Sequence, residues 1–324
     1  MSREKMEKKF IKDFKENESI SSYFAVFEKN SRLTKTDKNY LDITLGDRSG
    51  KINAKIWDNA DDFQNKFEVG DAVAVKGQIV TYNNEFQINV SNIRRVQAEM
   101  DKLYGFELSD IIPTTSKNID EMWDRIQEAI ASIGNDHIRE VTQRIYTKYE
   151  DRIKIHPASM ILHHAFRGGL LEHVSEMTVI AETFCRVYRS VERDLVIAGV
   201  LLHDIGKLVE LEPGIATTYT DAGNLIGHLV LGRDLLRDEI LKMDGFPDLL
   251  RLKLEHIILS HQGKYEWQSP REPEFPEALL VYYADEIDTR MQQMKMAIES
   301  DSQEGDWTSR NNYFHRPIYK NPSK

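Results

Sequence analysis

Between residues 22 and 96 the chain alternates apolar and polar positions with period two. Leu41, Ile43 and Leu45 interleave with Tyr40, Asp42 and Thr44, and Ile52, Ala54 and Ile56 with Lys51, Asn53, Lys55 and Trp57. This is the pattern of strands that bury one face. Turn signals at Gly46-Asp47-Arg48-Ser49-Gly50 and Tyr82-Asn83-Asn84 predict hairpins. A short helical pattern over 58–67 interrupts the strands, and two more strands follow over 71–81 and 85–94. Ahead of them, Phe10, Ile11 and Phe14 at helical spacing predict a short amphipathic helix or lead-in within 1–18. From residue 119 the period becomes helical: Ile119, Met122, Trp123, Ile126, Ile130 and Ile133 keep one face before Gly134. Ile138, Val141, Ile145 and Tyr149 continue in a second helix.

Five strands with a helix between the third and fourth follow the order of an OB β-barrel. The predicted fold class is therefore multidomain α and β: a five-stranded OB barrel (19–97), a polar linker carrying Pro113 (98–118), an all-α bundle (119–300) and a tail (301–324). With the apolar set inside the barrel, Tyr40, Lys51, Lys55 and Trp57 share the outer face of the second and third strands. Aromatics beside cations on such a face stack the bases of a single strand. The alternative is that Trp57 packs on the neighbouring helix and the lysines are solvated.

Composition narrows the function. Among 324 residues, 40% are hydrophobic and 30% charged, the balance of an ordinary soluble protein with room for two domains. No apolar run reaches the roughly 18 residues of a membrane span, and MSREKMEKKF has no signal-peptide core. A cytoplasmic location without a membrane partner is the expectation. Cys185 is the only cysteine, which excludes an internal disulfide and a thiolate zinc cage. Any metal must take nitrogen and oxygen ligands. A net charge of −10 gives no global attraction for nucleic acid, so a polyanionic substrate needs local cations or bound metal.

The candidate chemistry centres on Leu201-Leu202-His203-Asp204-Ile205-Gly206-Lys207. Adjacent helical residues point about 100° apart, so a His-Asp pair on one ion requires the helix to end there, and Gly206 is the residue expected to end it. Lys207 then stands where a cation could meet a phosphate. Every histidine but His315 falls between His137 and His261, several against apolar helical segments. Burying so many imidazoles without partners is costly. Imidazole and carboxylate without thiolate suit manganese, iron, cobalt or magnesium, and about six ligands with one bridging carboxylate favour two ions over one.

The order His173, His203-Asp204, His228, His261, Asp285 resembles the signature of the HD-domain phosphohydrolases. With the barrel ahead of HHAFRGGLLEH, GVLLHDIGKLVEL, TTYTDAGNLIGH, HIILSHQGKYEWQSP and YYADEID, nearly the whole chain resembles the YhaM-type 3′-to-5′ exoribonucleases. That resemblance implies metal ligation by His173, His203, Asp204, His228, His261 and Asp285, with Asp204 bridging two divalent ions and Lys207 on the phosphate. Manganese is the first expectation. It also implies single-stranded RNA or DNA as partner, and substrate contacts from His163, His164 and Arg167, against helix-cap packing for these three. Gln262 departs from the family, which usually has histidine there, and is a poor ligand. His256 is read as structural. Tail aromatics Tyr313, Phe314 and Tyr319 imply docking on a second subunit, giving a homo-oligomer, or on their own domain. Two other readings stand: an HD phosphohydrolase of nucleotides or cyclic dinucleotides, and a non-catalytic single-strand-binding protein.

Overall fold

The computed structural model describes residues 9–34, 36–82, 85–160, 164–214, 217–301 and 303–320. Asn83, Asn84 and His163, which the sequence singled out, lie outside them. By its contacts the chain forms two compact units, one of Met1–Thr114 with Pro213–Thr218 and the other of Thr115–Glu212 with Tyr219–Lys324.

In the first unit β1 (Ser19–Leu33), β2 (Asn39–Asp47), β3 (Gly50–Ile56), β4 (Ala72–Tyr82) and β5 (Glu85–Arg95) close a barrel in the order β1-β2-β3-β5-β4. β1 closes it by pairing with β4 through its first half and with β2 through its second, bending at an irregularity between Val26 and Glu28. β3 and β5 run parallel. The register sets Leu41 opposite Ile56, Ile43 opposite Ala54 and Leu45 opposite Ile52, and all six are buried inside the barrel. Period-two reading thus found the right face. The helix between the third and fourth strands is α1 (Ala60–Gln64).

Among the described residues ahead of the barrel, Ile11–Asp13 form a 3-10 turn. Phe14 behind it enters the barrel core, edge-on to Phe24. The polar stretch after the barrel is not open linker: it folds as α2 (Ala98–Lys102) and α3 (Leu108–Ile111). Phe106 and Ile111 pack there with Ala25, and a few isolated apolar residues in a polar segment carry no period to announce this.

The second unit is helical: α4 (Ile119–Ala131), α5 (Asp136–Ile153), α6 (Gly169–Val187), α7 (Arg193–Leu202), α8 (Lys207–Glu210), α9 (Asp221–Ile226), α10 (His228–Ile240), α11 (Asp248–Ser260) and α12 (Pro276–Glu299). Asn118 caps α4 by accepting from Asp120 N and Glu121 N, and Asn135 caps α5 by accepting from Ile138 N. Pro276 opens α12, where its missing N–H costs nothing. Between Leu195 and Leu202 every side chain of α7 is buried. α6, α11 and α12 pack around it, so its end is held in the middle of the unit. No described helix is long and apolar enough to cross a membrane.

Candidate metal centre

α7 stops at Leu202 and the chain turns over the next four residues. Ile205 N bonds Leu202 O at 3.2 Å and Lys207 N bonds Asp204 O at 3.0 Å, tighter i to i−3 bonds that change the angle between neighbouring side chains. His203 and Asp204 thereby reach one spot. Carbonyls orphaned at the helix end find partners: Tyr146 Oη donates to Leu201 O at 2.6 Å, and His203 Nδ1 bonds Val200 O at 2.8 Å. Gly206 acts differently from expectation. Its φ is −64°, ordinary right-handed backbone, but a Cβ there would lie 2.0 Å from His228 O and 2.5 Å from Gly232 N. It is glycine because α10 crosses against the turn, bringing His228 to the dyad.

Four imidazoles converge on Asp204, each with Nδ1 on an acceptor. His203 Nδ1 bonds Val200 O, and His261, just past α11, repeats the device on Ile258 O at 2.8 Å. His228 Nδ1 bonds Glu210 Oε1 at 3.0 Å, and His173 Nδ1 bonds Asp288 Oδ2 at 2.6 Å. With the proton on Nδ1 in each, four Nε2 lone pairs face inward. Around Asp204 they fall into two sets. Oδ2 lies 3.3 Å from His203 Nε2 and 3.8 Å from His173 Nε2; Oδ1 lies 3.5 Å from His261 Nε2 and 3.7 Å from His228 Nε2. Asp285 Oδ1 adds a second carboxylate 3.3 Å from His173 Nε2. Asp285 and Asp288, three apart on α12, hold the two nitrogens of one imidazole between them.

His203, Asp204, His173 and His261 are buried. Burial opposes ionisation of Asp204, but Lys207 and His203 outweigh it and hold the carboxyl well below the usual range. The Asp285 carboxyl is lowered too, burial being overcome by His173 and His203. On His173 burial disfavours the imidazolium, yet Asp285 and Asp288 prevail and raise its pKa to about 10. His261 goes the other way, its burial lowering the pKa. Without a bound cation the centre keeps its acids ionised and His173 protonated between them; a metal would take the place of the Nε2 proton and free that lone pair.

All six predicted ligands meet here. Lys207 is buried, its ammonium 2.5 Å from Asp204 Oδ2. His164 comes in as well: its Nε2 bonds Asp288 Oδ2 at 2.9 Å, so it steadies the carboxylate that orients His173. Gly169 makes that possible, since a Cβ on it would lie 2.0 Å from His164 O. Arg167 is tied through its carbonyl to Thr115 N at 3.0 Å, and among the described residues its guanidinium does not join the cluster. Gln262 Nε2 approaches His228 Nε2 at 3.4 Å. His256 accepts from Glu274 N at 3.1 Å, a structural bond. Asp288, which the sequence places at the end of the series without a partner, orients His173, and Glu210, which the ligand pattern missed, orients His228. Their partners follow only from how α12 faces α6 and how α8 faces α10.

On the barrel, Tyr40 and Trp57 stack with centroids 4.7 Å apart at 27°. Lys55 lies 5.3 Å and 5.4 Å from these rings and 6.0 Å from that of Tyr82. Trp57 stacks on Tyr40 and donates to Asn89 Oδ1 at 3.1 Å. Lys51 is drawn away from this group, 4.0 Å over the Phe27 ring.

Residues 170–290 match the family described as HD domain, and residues 26–96 that described as OB-fold nucleic acid binding domain. The chain is 33% identical over 323 residues to the 3′-5′ exoribonuclease YhaM of Listeria monocytogenes serotype 4b (strain CLIP80459), covering 97% of this chain and 100% of the relative. The protein of the same name from strain F2365 gives the same values. Among solved structures, the second OB-fold domain of replication protein A from Methanococcus maripaludis is 23% identical at a TM-score of 0.23, covering 27% of this chain and 92% of that one.

Proposed function

The chain belongs to the YhaM family of 3′-5′ exoribonucleases, and from that premise we propose that it trims single-stranded RNA from the 3′ end, releasing nucleoside monophosphates at two divalent ions. Single-stranded DNA is a candidate second substrate, and manganese is the ion of first choice before cobalt, iron or magnesium. A cytoplasmic setting is part of the same proposal.

The residues fit metal. Asp204 Oδ1 is buried without a hydrogen bond, in the middle of inward lone pairs, and His173 Nε2 and His203 Nε2 sit only 3.3 Å apart. Such an arrangement repels itself unless a cation or proton lies within it. His173, His203, Asp204 and Asp285 would hold one ion, and His228 and His261 with Asp204 would hold the other. When bound, the ions would supply an activated water and positive charge against the phosphate. The chain does the rest. Asp288 and Glu210 hold two imidazoles in the ligating tautomer. Lys207, whose ammonium is kept charged by Asp204 despite burial, lines the cavity beside the cluster and reaches the scissile phosphate from there. On the barrel, Tyr40, Trp57 and Lys55 hold upstream bases by stacking beside a cation.

The convergence of four imidazoles on the Asp204 carboxylate, His203 and His173 at Oδ2 and His261 and His228 at the unbonded Oδ1, carries this reading. Its test is a 5′-labelled oligoribonucleotide incubated with the purified chain, with manganese or with chelator. A metal-dependent ladder shortening from the 3′ end is expected, and none with Asp204→Asn. Free nucleotides and a cyclic dinucleotide run in parallel. Hydrolysis of these alone, with the oligonucleotide intact, would overturn the exonuclease assignment in favour of a small-molecule phosphohydrolase.

A further inference from the structure

Beside the metal centre lies a cavity of about 200 Å³. Its lining includes Lys207, His261 and Asp285 from the centre, and with them a second group, Trp267, Arg290 and Tyr313. Ion binding and hydrolysis give no reason for that second group. The Arg290 guanidinium lies 5.7 Å from the Trp267 ring and 5.1 Å from the Tyr313 ring, and its Nε donates to Glu286 Oε1 at 2.7 Å. A guanidinium fixed in this way keeps both rings at the cavity edge. Lys264 lies 4.6 Å from the Trp267 ring, adding a second cation in a chain whose net charge is −10.

Tyr313 comes from the tail, outside the residues that match the HD domain, and the tail is folded to present it. Thr308 N bonds Ile318 O at 2.8 Å and Lys320 N bonds Asp306 O at 2.7 Å, closing a loop. Across its neck Trp307 and Tyr319 pack with centroids 5.3 Å apart. Within it Asn312 Nδ2 donates to Ser309 O at 2.7 Å and to Arg316 O at 2.8 Å. Asp301, just past α12, fastens it by accepting from Ser309 N at 2.8 Å and pairing with Lys320 at 2.5 Å. At the turn Tyr313 is still 43% exposed, too open to be placed there for burial alone.

Building on the exonuclease reading above, we propose that Trp267 and Tyr313 form the seat of the 3′-terminal nucleobase, so that the tail supplies part of the substrate site. A phosphate at the ion ligands leaves its nucleoside facing these aromatic rings, where every base has a π-face to offer. Arg290 is a positioning residue that holds both rings.

Calorimetric titration of the full chain with manganese present tests this, using adenosine 5′-monophosphate and ribose 5-phosphate as probes. Tyr313→Ala is expected to weaken the nucleotide about tenfold or more and to leave ribose 5-phosphate unchanged, while Tyr313→Phe keeps nucleotide binding. Unchanged nucleotide affinity in Tyr313→Ala, or equal loss of both probes, overturns the seat. If the unmutated chain shortens labelled RNA yet binds the nucleotide no better than ribose 5-phosphate, the seat alone falls. A chain that does neither overturns the seat and the exonuclease reading together.

Discussion

A single carboxylate shows how the centre is made. Asp288 accepts from His173 Nδ1 and His164 Nε2, and its carboxyl is held well below the usual range, burial being overcome by these two histidines. Replacing it with alanine removes the group that orients His173 and should weaken manganese binding about 10- to 100-fold. Titration of the metal-stripped protein measures this, and unchanged affinity would deny Asp288 the role. The six residues that meet at the centre were legible in the sequence because they sit in contiguous motifs. The pairings of Asp288 with His173 and of Glu210 with His228 were not, because the partners lie on other helices. Lys51 keeps the outward face that the alternation gives it, but alternation does not name a side chain's neighbour, and its ammonium lies over the Phe27 ring.

Two elements make predictions of their own. The turn after α7 depends on Gly206, not for a left-handed conformation but for the approach of α10. Gly206→Ala should therefore cost at least the roughly 1–3 kcal/mol of overpacking, read as a lower urea midpoint; an unchanged midpoint would contradict the crossing. In the barrel unit, α2 is tied down by Asp101, which accepts from Arg94 at 2.6 and 2.8 Å, Gln97 N at 2.7 Å and Tyr23 Oη at 3.1 Å. The Arg94 guanidinium lowers the pKa of Asp101 to about 2 against the ordinary 3.8, although burial opposes it. A depressed carboxyl stabilises fully above the unfolded value and less as pH falls toward the folded one. Half exposure of Arg94 trims the gain, so Asp101→Asn should cost about 1–2 kcal/mol at neutral pH. Thermal melts should show the two proteins drawing together between pH 4 and pH 2; a constant gap would reject the linkage. That this stretch folds at all was hidden, since its buried residues Phe106 and Ile111 are too few to set a period.

At the scale of the whole molecule the proposed function gives strand binding to the barrel and cutting to the helical unit. Period-two and period-3.6 patterns made both units legible, and the motif order made the chemistry legible. What a linear pattern could not give was the group of Trp267, Arg290 and Tyr313 in the cavity lining, whose members are brought together only by the folded tail. If the division holds, the paired substitutions Tyr40→Ala and Trp57→Ala should raise KM for a long oligoribonucleotide about tenfold or more while leaving kcat and dinucleotide cleavage near their starting values. A fall in kcat on both substrates would contradict it. The most direct test of the central claim is the number of manganese ions the purified chain retains after stripping and reloading. The account predicts two per chain, with loss of bound ion in Asp204→Asn. A chain that hydrolyses RNA with no ion bound, or an Asp204→Asn protein that binds as many as the original, would contradict it.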